Sequence, residues 1–461
     1  MSLEGALAAN RFGLGAKPGE IEDASNDPKA WLLSQLQHDD SGDRFSGLPA
    51  TSELVATLVE RRAALQAKDR EAVKAFLAQG RQTYLREMAA RFRVGFETAQ
   101  PLRERLVRFW SNHFVVSIQK PQAALFVGAF EREAIRPHVT GRFADMVLAV
   151  ERHPAMQLYL DNAQSIGPDS VAGMRTRKGL NENLGREILE LHTLGVDGGY
   201  TQDDVIALAK ILTGWSIDRG PGPAAQLMNA AMGGTSDGGF RFYPPRHEPG
   251  PKTLLGRSYA QGFESGVAAL TDLANHPATA RHIANKLAIH FIADDPPQDS
   301  VKRIETAFRD SGGNLAKVYE VIIADPAAWR PEPAKFRTPI EYVTAAVRVA
   351  GGDRIGMLDE NSVAPFIQSA RAMGEAPFAA SSPKGWPDDA DSWTGSDAIL
   401  QRVEWANAAA QKLGGQSDPV RLADEALGPQ LGAETRTAIT RAASPAQGLA
   451  ILFASPEFQR R

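Results

Sequence analysis

The sequence predicts a mainly α-helical protein, built as a single large domain with long loops and one small β-hairpin. Apolar residues recur with the helical period through most of the chain, and alternating strand patterns are scarce. The composition, with 43% hydrophobic and 23% charged residues, is typical of a globular protein with a substantial core. At 461 residues the chain also allows two lobes, 1–215 and 262–461, joined by a long loop 216–261.

Helices are expected along almost the whole chain. Residues 53–99 predict two or three long amphipathic helices rich in Ala, Leu, Glu and Arg. Further helices are predicted at 101–116, 123–134, 141–151, 180–194, 201–213, 263–275, 277–293, 301–311, 315–325, 338–350, 361–373, 395–413, 419–427 and 433–455. The best strand pattern, FRFYPP at 240–245 with KTLLGRSY at 252–259, predicts a short hairpin.

Three segments rich in Gly, Pro and polar residues interrupt the helical pattern. Residues 163–179 and 214–251 are long enough to predict lids or binding loops rather than linkers. A third segment, 376–395, places two Trp and three Pro in a polar stretch. Its Trp386 and Trp393 are interpreted either as loop packing or as a stacking platform for a flat-faced substrate.

Composition and motifs exclude several classes of protein. The chain has no cysteine, which removes disulfides, thiolate zinc sites, Fe–S clusters and cysteine nucleophiles. It has no P-loop, no GxSxG and no dinucleotide fingerprint, so ATPases, α/β-hydrolases and nucleotide- or flavin-dependent enzymes are not expected. The net charge of −4 gives no global positive field, and no nucleic-acid partner is expected.

The sequence alone predicts a cytoplasmic protein. The first residues, MSLEGALAANRFGLGAKPGE, lack a basic region followed by an apolar one and do not resemble an export signal. No run reaches the ~18 uncharged apolar residues that a spanning helix needs, so no membrane span is expected.

The most informative stretch is GLNENLGREILELHTLGVDGGYTQDDVIALAKILTGW, residues 179–215. It predicts a helix that ends near Leu194, with Gly195 as its C-terminal stop. After the DGG turn, Thr201 and Asp204 predict a capping box that begins the next helix. The result is a helix–turn–helix hairpin with a tight, glycine-bearing corner.

A helical wheel at about 100° per residue places Glu187 inside the apolar stripe of the first helix, with His192 at its border. A carboxylate facing a core is costly unless it is paired, protonated or bound to metal. One interpretation is an Arg partner that fixes the helix to a neighbour. The other is a general acid/base or an oxygen ligand whose pKa is moved by burial.

Histidines supply the remaining candidates for chemistry. His113 lies in RFWSNHFVVS, His192 borders the apolar stripe, and His247 lies in the loop PPRHEPGPK, followed by Lys252. A lone His is most often structural. Glu187, His192 and His247 are nevertheless the candidate ligands of one divalent metal, in a site assembled from distant segments.

Several motifs resemble the bacterial family catalogued as domain of unknown function 1800. The resemblance extends over roughly residues 6–460. It rests, in chain order, on NRFGLGAKPGEI, FWSNHFVVS, RPHVTGRFADMVLAVERHPAMQLYLDN, NENLGREILELHTLGVDGGYTQDDV, LTGW, HEPGPKTLLG, KFRTPIEYV and PKGWPDD. Members are often encoded beside a sulfatase-like family, domain of unknown function 1501, many of which carry twin-arginine signals. The resemblance therefore implies an envelope context, a sulfatase-like partner, and export to the periplasm together with that partner.

The polar positions of the family coincide with the candidates above and add to them. They are His113, Asp161, Asn162, Glu187, Glu190, His192, His247, Lys252, Lys384 and Trp386. If these residues converge, they form one polar cleft between helices, the default place for a site. The expected catalytic residues are Glu187, His192, His247 and Lys252, and the expected substrate-binding residues are His113, Asp161, Asn162, Lys384 and Trp386.

Two classes of function follow. The first is a His/carboxylate hydrolase or lyase that works with or without a divalent metal. The second is a non-catalytic binding or maturation partner of the sulfatase-like protein. Convergence of the polar residues in a pocket favours the enzyme, and dispersal over a flat face favours the partner.

Overall fold

The computed structural model of the chain describes residues 1–176, 179–218, 234–351, 358–413 and 418–461. The mainly α-helical class predicted from the sequence is confirmed. The α-helices of the described part are Leu3–Leu7, Glu20–Ser25, Pro28–Ser34, Thr51–Gln66, Arg70–Glu97, Pro101–His113, Val127–Phe130, Phe143–Arg152, Pro154–Tyr159, Val171–Thr176, Asn183–Glu187, Gln202–Ile211, Phe263–Ala274, Pro277–Phe291, Gln298–Asp310, Leu315–Ala324, Pro339–Val349, Ala364–Ala372, Ser396–Leu413, Pro419–Leu427, Ala433–Thr440, Pro445–Ala454 and Pro456–Gln459. Three π-helical turns, Ala8–Phe12, Glu131–Ile135 and Ile188–His192, extend or join these helices.

Local sequence signals explain several helix boundaries. The predicted capping box is present: the hydroxyl of Thr201 accepts from the N–H of Asp204, whose carboxylate accepts from the N–H of Thr201. The predicted helix 433–455 is instead two helices. It is interrupted because Pro445 provides no N–H to continue the ladder, and Ser444 caps the new helix.

The strands form two small sheets. Strands β1 (Trp215–Ile217), β2 (Ser236–Asp237) and β3 (Phe240–Phe242) make an antiparallel sheet in the order β1-β3-β2. Strands β4 (Lys252–Leu254) and β5 (Arg257–Tyr259) make a separate hairpin.

The predicted hairpin therefore differs in its pairing, because its two segments belong to different sheets. Leu255 and Gly256 both have positive φ, +49° and +77°, so a two-residue turn closes the second segment on itself. Residues 219–233 of the predicted loop 214–251, and 177–178 of the predicted loop 163–179, lie outside the described residues.

Four clusters of buried apolar side chains hold the helices of the described part together, and the smallest contains only Ala6, Ala9, Ala16 and Ile21. The largest includes Ala8 and Ala328, so it draws residues from both sides of the predicted loop 216–261. A second cluster joins the helices of the C-terminal part, from Tyr342 to Phe458, and a third packs Met88 and its neighbours against Ala370. The division into two lobes stays a prediction.

Within the described ranges, none of the helices combines the length and the apolar character needed to cross a membrane.

Candidate functional site

A cavity of about 600 Å³ lies between the helices and is here called the central cavity. Its walls are the end of helix Pro101–His113, one face of helix Pro277–Phe291, the start of helix Pro339–Val349, and the segment 378–389. Glu190, Leu191 and Val196 complete it. Apolar and charged groups alternate on this surface, as in sites that bind small organic molecules.

The side chains of His113 and Lys286 meet in the wall of the cavity. Nζ of Lys286 lies 2.9 Å from Nδ1 of His113, and Nε2–H of His113 donates to the carbonyl oxygen of His192 at 3.1 Å. The second bond fixes the tautomer of His113, so Nδ1 is the nitrogen that accepts from Lys286. Burial and the charge of Lys286 hold the pKa of His113 well below its usual range.

Lys286 differs from an ordinary surface lysine. It forms no ion pair with any residue of the described part of the chain, and its ammonium group faces a neutral ring. Burial lowers the pKa of Lys286 to about 8, since the attraction of Asp388 only partly opposes it and the positive charge of Lys384 adds to it.

Two histidines share the helix face of Lys286. His282, Lys286 and His290 are spaced four residues apart in helix Pro277–Phe291, and all three line the cavity. Nε2–H of His282 donates to the carbonyl of Leu191 at 3.2 Å, and burial lowers the pKa of His282 to about 4. His290 donates from Nδ1 to Asp388, and burial keeps its pKa below the usual value.

Three carboxylates at the cavity are already paired with cations. Glu341 contacts Arg105 and Arg461, and these charges hold its pKa far below the ordinary value despite burial. Asp388 contacts His290, Lys335 and Arg461, with the same effect on its pKa. Lys335 also contacts Asp294.

Lys384 and Trp386 enter the cavity from a loop that Asn112 holds in place. The amide of Asn112 donates to the carbonyl of Trp386 at 2.9 Å, and the N–H of Trp386 donates back to the Asn112 oxygen at 2.8 Å. Gly385 between them has φ +87°, and a Cβ there would lie 2.4 Å from the Asn112 carbonyl oxygen, so the position requires glycine. Lys384 is exposed at the mouth of the cavity.

Glu375 adds a carboxyl group that titrates near neutrality. It is buried, lines the cavity and accepts from the N–H of Ile340 at 2.8 Å. Burial raises the pKa of Glu375 to about 7, because the hydrogen bonds from Ile340 and Thr338 only partly compensate the loss of solvent.

Glu187 lies outside the central cavity and outside the core. The π turn that follows it, Ile188–His192, holds more residues per turn than an α-helix, so the wheel misplaces the side chains beyond Glu187. Leu189 and His192 are fully buried, whereas Leu191 is only half-buried. Glu187 is half-buried, and burial raises its pKa.

His192 is an interior histidine paired with a buried carboxylate. Its Nδ1 lies 2.7 Å from Oε1 of Glu151, and both side chains are almost completely inaccessible to solvent. Its Nε2 makes no hydrogen bond to any described residue. His192 reaches the cavity only through its carbonyl oxygen, which fixes His113.

His247 lies in a buried turn before β4, and Lys252 is the first residue of β4. Nδ1–H of His247 donates to the Thr213 carbonyl at 2.9 Å, and Nε2 accepts from the N–H of Gly262 at 3.0 Å. Burial lowers the pKa of Lys252 to about 8, and its ammonium donates to the carbonyls of Glu248 and Gly250.

Asp161 and Asn162 lie together near β1. Asp161 pairs with Lys120 at 2.5 Å, and the amide of Asn162 donates to the side chain of Gln157 at 2.8 Å and to the carbonyl of Trp215 at 3.2 Å. These contacts connect the segment to β1. Neither residue lines the central cavity.

The structure thus brings His113, Lys384, Trp386 and Glu190 to one cavity, and places Glu187, His192, His247, Lys252, Asp161 and Asn162 elsewhere. Across the described ranges, no three His, Asp or Glu side chains are arranged to hold a metal ion. The metal site made of Glu187, His192 and His247 stays a prediction from the sequence. Both ring nitrogens of His247 are already in hydrogen bonds.

The sequence analysis missed most of the residues that line the cavity, among them His282, Lys286, His290 and Glu375. The first three of these have a visible signal in HIANKLAIH, where a lysine stands between two histidines at intervals of four residues on one helix face. Glu375 has no comparable signal, because only the packing around it shows that it is buried.

Of three comparisons with known proteins, one gives a match. Searches of the curated proteins and of the solved structures found no match to the chain. The model of the family described as "Protein of unknown function (DUF1800)" matches residues 7–460. The chain, which resembled that family by its motifs, therefore belongs to it.

Proposed function

We propose that the protein is a hydrolase or lyase that binds a small anionic substrate in the central cavity and moves protons through Lys286 and His113. The observation that carries this proposal is the contact of 2.9 Å between Nζ of Lys286 and Nδ1 of His113 in the cavity wall. An amine and an imidazole in direct contact, next to a space for substrate, are a usual pair for acid–base catalysis.

The charges around the cavity support an anionic substrate. Glu341, Asp388 and Asp294 are neutralised by Arg, Lys or His partners. Lys286 and Lys384, in contrast, form no ion pair within the described residues, and their mutual repulsion contributes to the lowered pKa of Lys286. A carboxylate, phosphate or sulfate bound near both ammonium groups would relieve this repulsion.

The protonation states support proton transfer near neutral pH. A lysine with a pKa of about 8 exchanges its proton with little driving force at physiological pH, which is the condition that favours a general acid or base. His113 is neutral there, and its Nδ1 lone pair points at the lysine. Glu375, with a pKa of about 7, is a second group able to give or take a proton in the same cavity.

Titration calorimetry with oxalate, inorganic phosphate and sulfate tests the proposal. We expect at least one of these anions to bind once per chain, and Lys384→Gln to weaken the binding about tenfold through loss of one charge-assisted contact. Lys302→Gln, on the exposed surface of helix Gln298–Asp310, is the matched control and should leave the affinity unchanged. Absence of binding by all three anions, or equal affinities in the two variants, would contradict the proposal.

A further inference from the structure

We infer that Lys286 is an amine nucleophile that forms a Schiff base with an aldehyde or ketone substrate carrying an anionic group, and that Lys384 holds that group. This inference rests on the proposed function and adds the substrate class to it. It places the protein with enzymes that cleave a bond next to a carbonyl carbon, because a protonated imine accepts the electrons released by such a cleavage.

The contacts of Lys286, which is half-buried, distinguish it from Lys335 and Lys252, the buried lysines of the described part. Lys335 donates to Asp294 and to the carbonyl of Asp388, and Lys252 donates to two backbone carbonyls. These acceptors hold the two ammonium groups in place, and neither lysine lines the central cavity. Lys286 donates to the neutral ring of His113 and borders a space of about 600 Å³, so its amine can lose a proton and reach a ligand.

His113 is oriented to carry the protons of this reaction. Its Nε2–H is held by the carbonyl of His192, so Nδ1 can take a proton from Lys286. The free amine then forms a bond to the carbonyl carbon. The two amine protons are transferred to the carbonyl oxygen, which leaves as water, and the proton first taken by His113 returns to the nitrogen, so that a protonated imine remains on Lys286. The reaction consumes no oxidant or reductant, and His113 is unchanged at its end.

Lys384 supplies the recognition of the anionic group. It lies at the exposed mouth of the cavity, close enough for its charge to act on Lys286. A substrate whose carbonyl carbon reaches Lys286 can therefore place a carboxylate or phosphate at Lys384. Lys286, which reacts, is half-buried, whereas Lys384, which binds the anionic group, is exposed.

The test is reductive trapping of the wild-type chain with sodium cyanoborohydride and two probes, followed by peptide mapping. Glyoxylate carries a carboxylate beside its aldehyde, whereas propionaldehyde carries no charge. We expect glyoxylate to label Lys286 about tenfold faster than the exposed Lys302, because more of its amine is neutral. Lys384→Gln should reduce labelling by glyoxylate about fivefold, through loss of the anion contact, and labelling by propionaldehyde by a much smaller factor, through loss of the charge that helps to lower the pKa of Lys286.

The outcomes separate this inference from the proposed function. If Lys286 is not labelled faster than Lys302 while an anion still binds in the calorimetric titration, the Schiff base is wrong and the proposed function stands. If Lys286 is not labelled faster than Lys302 and no anion binds, both the Schiff base and the proposed function are wrong. Equal effects of Lys384→Gln on the two probes would overturn the role of Lys384. The labelling is measured on the unmodified chain, so it does not depend on the folding of a Lys286 variant.

Discussion

The ammonium nitrogen of Lys286 lies 2.9 Å from Nδ1 of His113, and this contact joins two segments that are far apart in the chain. His113 ends helix Pro101–His113, and Lys286 lies in the middle of helix Pro277–Phe291. A positive group held against a neutral, buried ring has a cost for folding, which the proposed function accounts for. Several predictions test that cost and its consequences.

Replacement of Lys286 by Met should stabilise the protein at neutral pH. The folded-state pKa of Lys286 is lowered to about 8, so below pH 8 the folded chain bears the cost of a charged, desolvated amine. We expect an increase in the free energy of unfolding of about 1–2 kcal/mol at pH 7, after a discount for the partial exposure of the side chain.

This increase should shrink as the pH rises from 8 through the ordinary lysine value, above which the wild-type amine is neutral in both states. Urea denaturation at pH 7 and pH 10 measures it, with Lys302→Met as the exposed control. A destabilisation of the Lys286 variant at pH 7 would show that the amine makes a structural contribution instead.

Replacement of Glu375 by Gln should also stabilise the protein, with the opposite dependence on pH. The pKa of Glu375 is raised to about 7, so the wild-type chain loses stability as the pH rises from the ordinary glutamate value through 7. Gln keeps an oxygen for the N–H of Ile340 and carries no charge. We expect a gain of about 1–2 kcal/mol at pH 8 and almost none at pH 4.5, measured by urea denaturation. The same gain in stability at pH 8 and at pH 4.5 would be inconsistent with a raised pKa of Glu375.

Replacement of Asp388 by Ala should destabilise the loop that forms one wall of the cavity. It leaves His290, Lys335 and Arg461 without the carboxylate that they share. Because removal of one partner leaves buried charges uncompensated, we expect a loss of about 2–3 kcal/mol. The exposed Asp391, three residues later, is the matched control, and its Ala variant should change stability by less than about 0.5 kcal/mol. Equal losses of unfolding free energy in the two variants would show that Asp388 contributes no more to stability than Asp391 does.

Metal content provides a separate test of the residues proposed from the sequence. Both ring nitrogens of His247 are in hydrogen bonds, and His192 is paired with Glu151 in the interior. We therefore expect Glu187→Ala to leave the metal content of the protein unchanged when it is purified without chelators or metal affinity resin. Elemental analysis measures this content. A stoichiometric metal that disappears in the variant would restore Glu187 as a ligand and would require rearrangement of His192 or His247.

Much of the fold could be predicted, because helical periodicity and capping residues are local properties of the sequence. Thr201 with Asp204 and the helix at 277–293 are examples. The π turn at Ile188–His192 could not be predicted, because the local pattern fits a regular helix and packing selects the extra residue in the turn. The extra residue shifts the side chains that follow Glu187, so Leu191 and Leu194 do not flank it as the wheel predicts.

The candidate site was predictable only in part, for a similar reason. His113, Lys384 and Trp386 reach the cavity, and the motif resemblance indicated them. His282, Lys286 and His290 are typical of an exposed helix face when only the sequence is considered. Their hydrogen-bond partners lie in segments that are distant in the sequence. Lys286 contacts His113, and His290 contacts Asp388, each more than ninety residues away. The sulfatase-like partner and the envelope context stay predictions.

The most direct measurement is the pKa of the Lys286 amine in the folded protein. Competitive labelling with trace acetic anhydride over a range of pH, followed by peptide mapping, gives a titration curve for each lysine. The proposed function predicts half-titration of Lys286 near pH 8, in the range that the burial of the amine beside His113 and Lys384 implies. Half-titration at the ordinary lysine value of about 10.4 would contradict it, because the amine would then be an ordinary solvated charge.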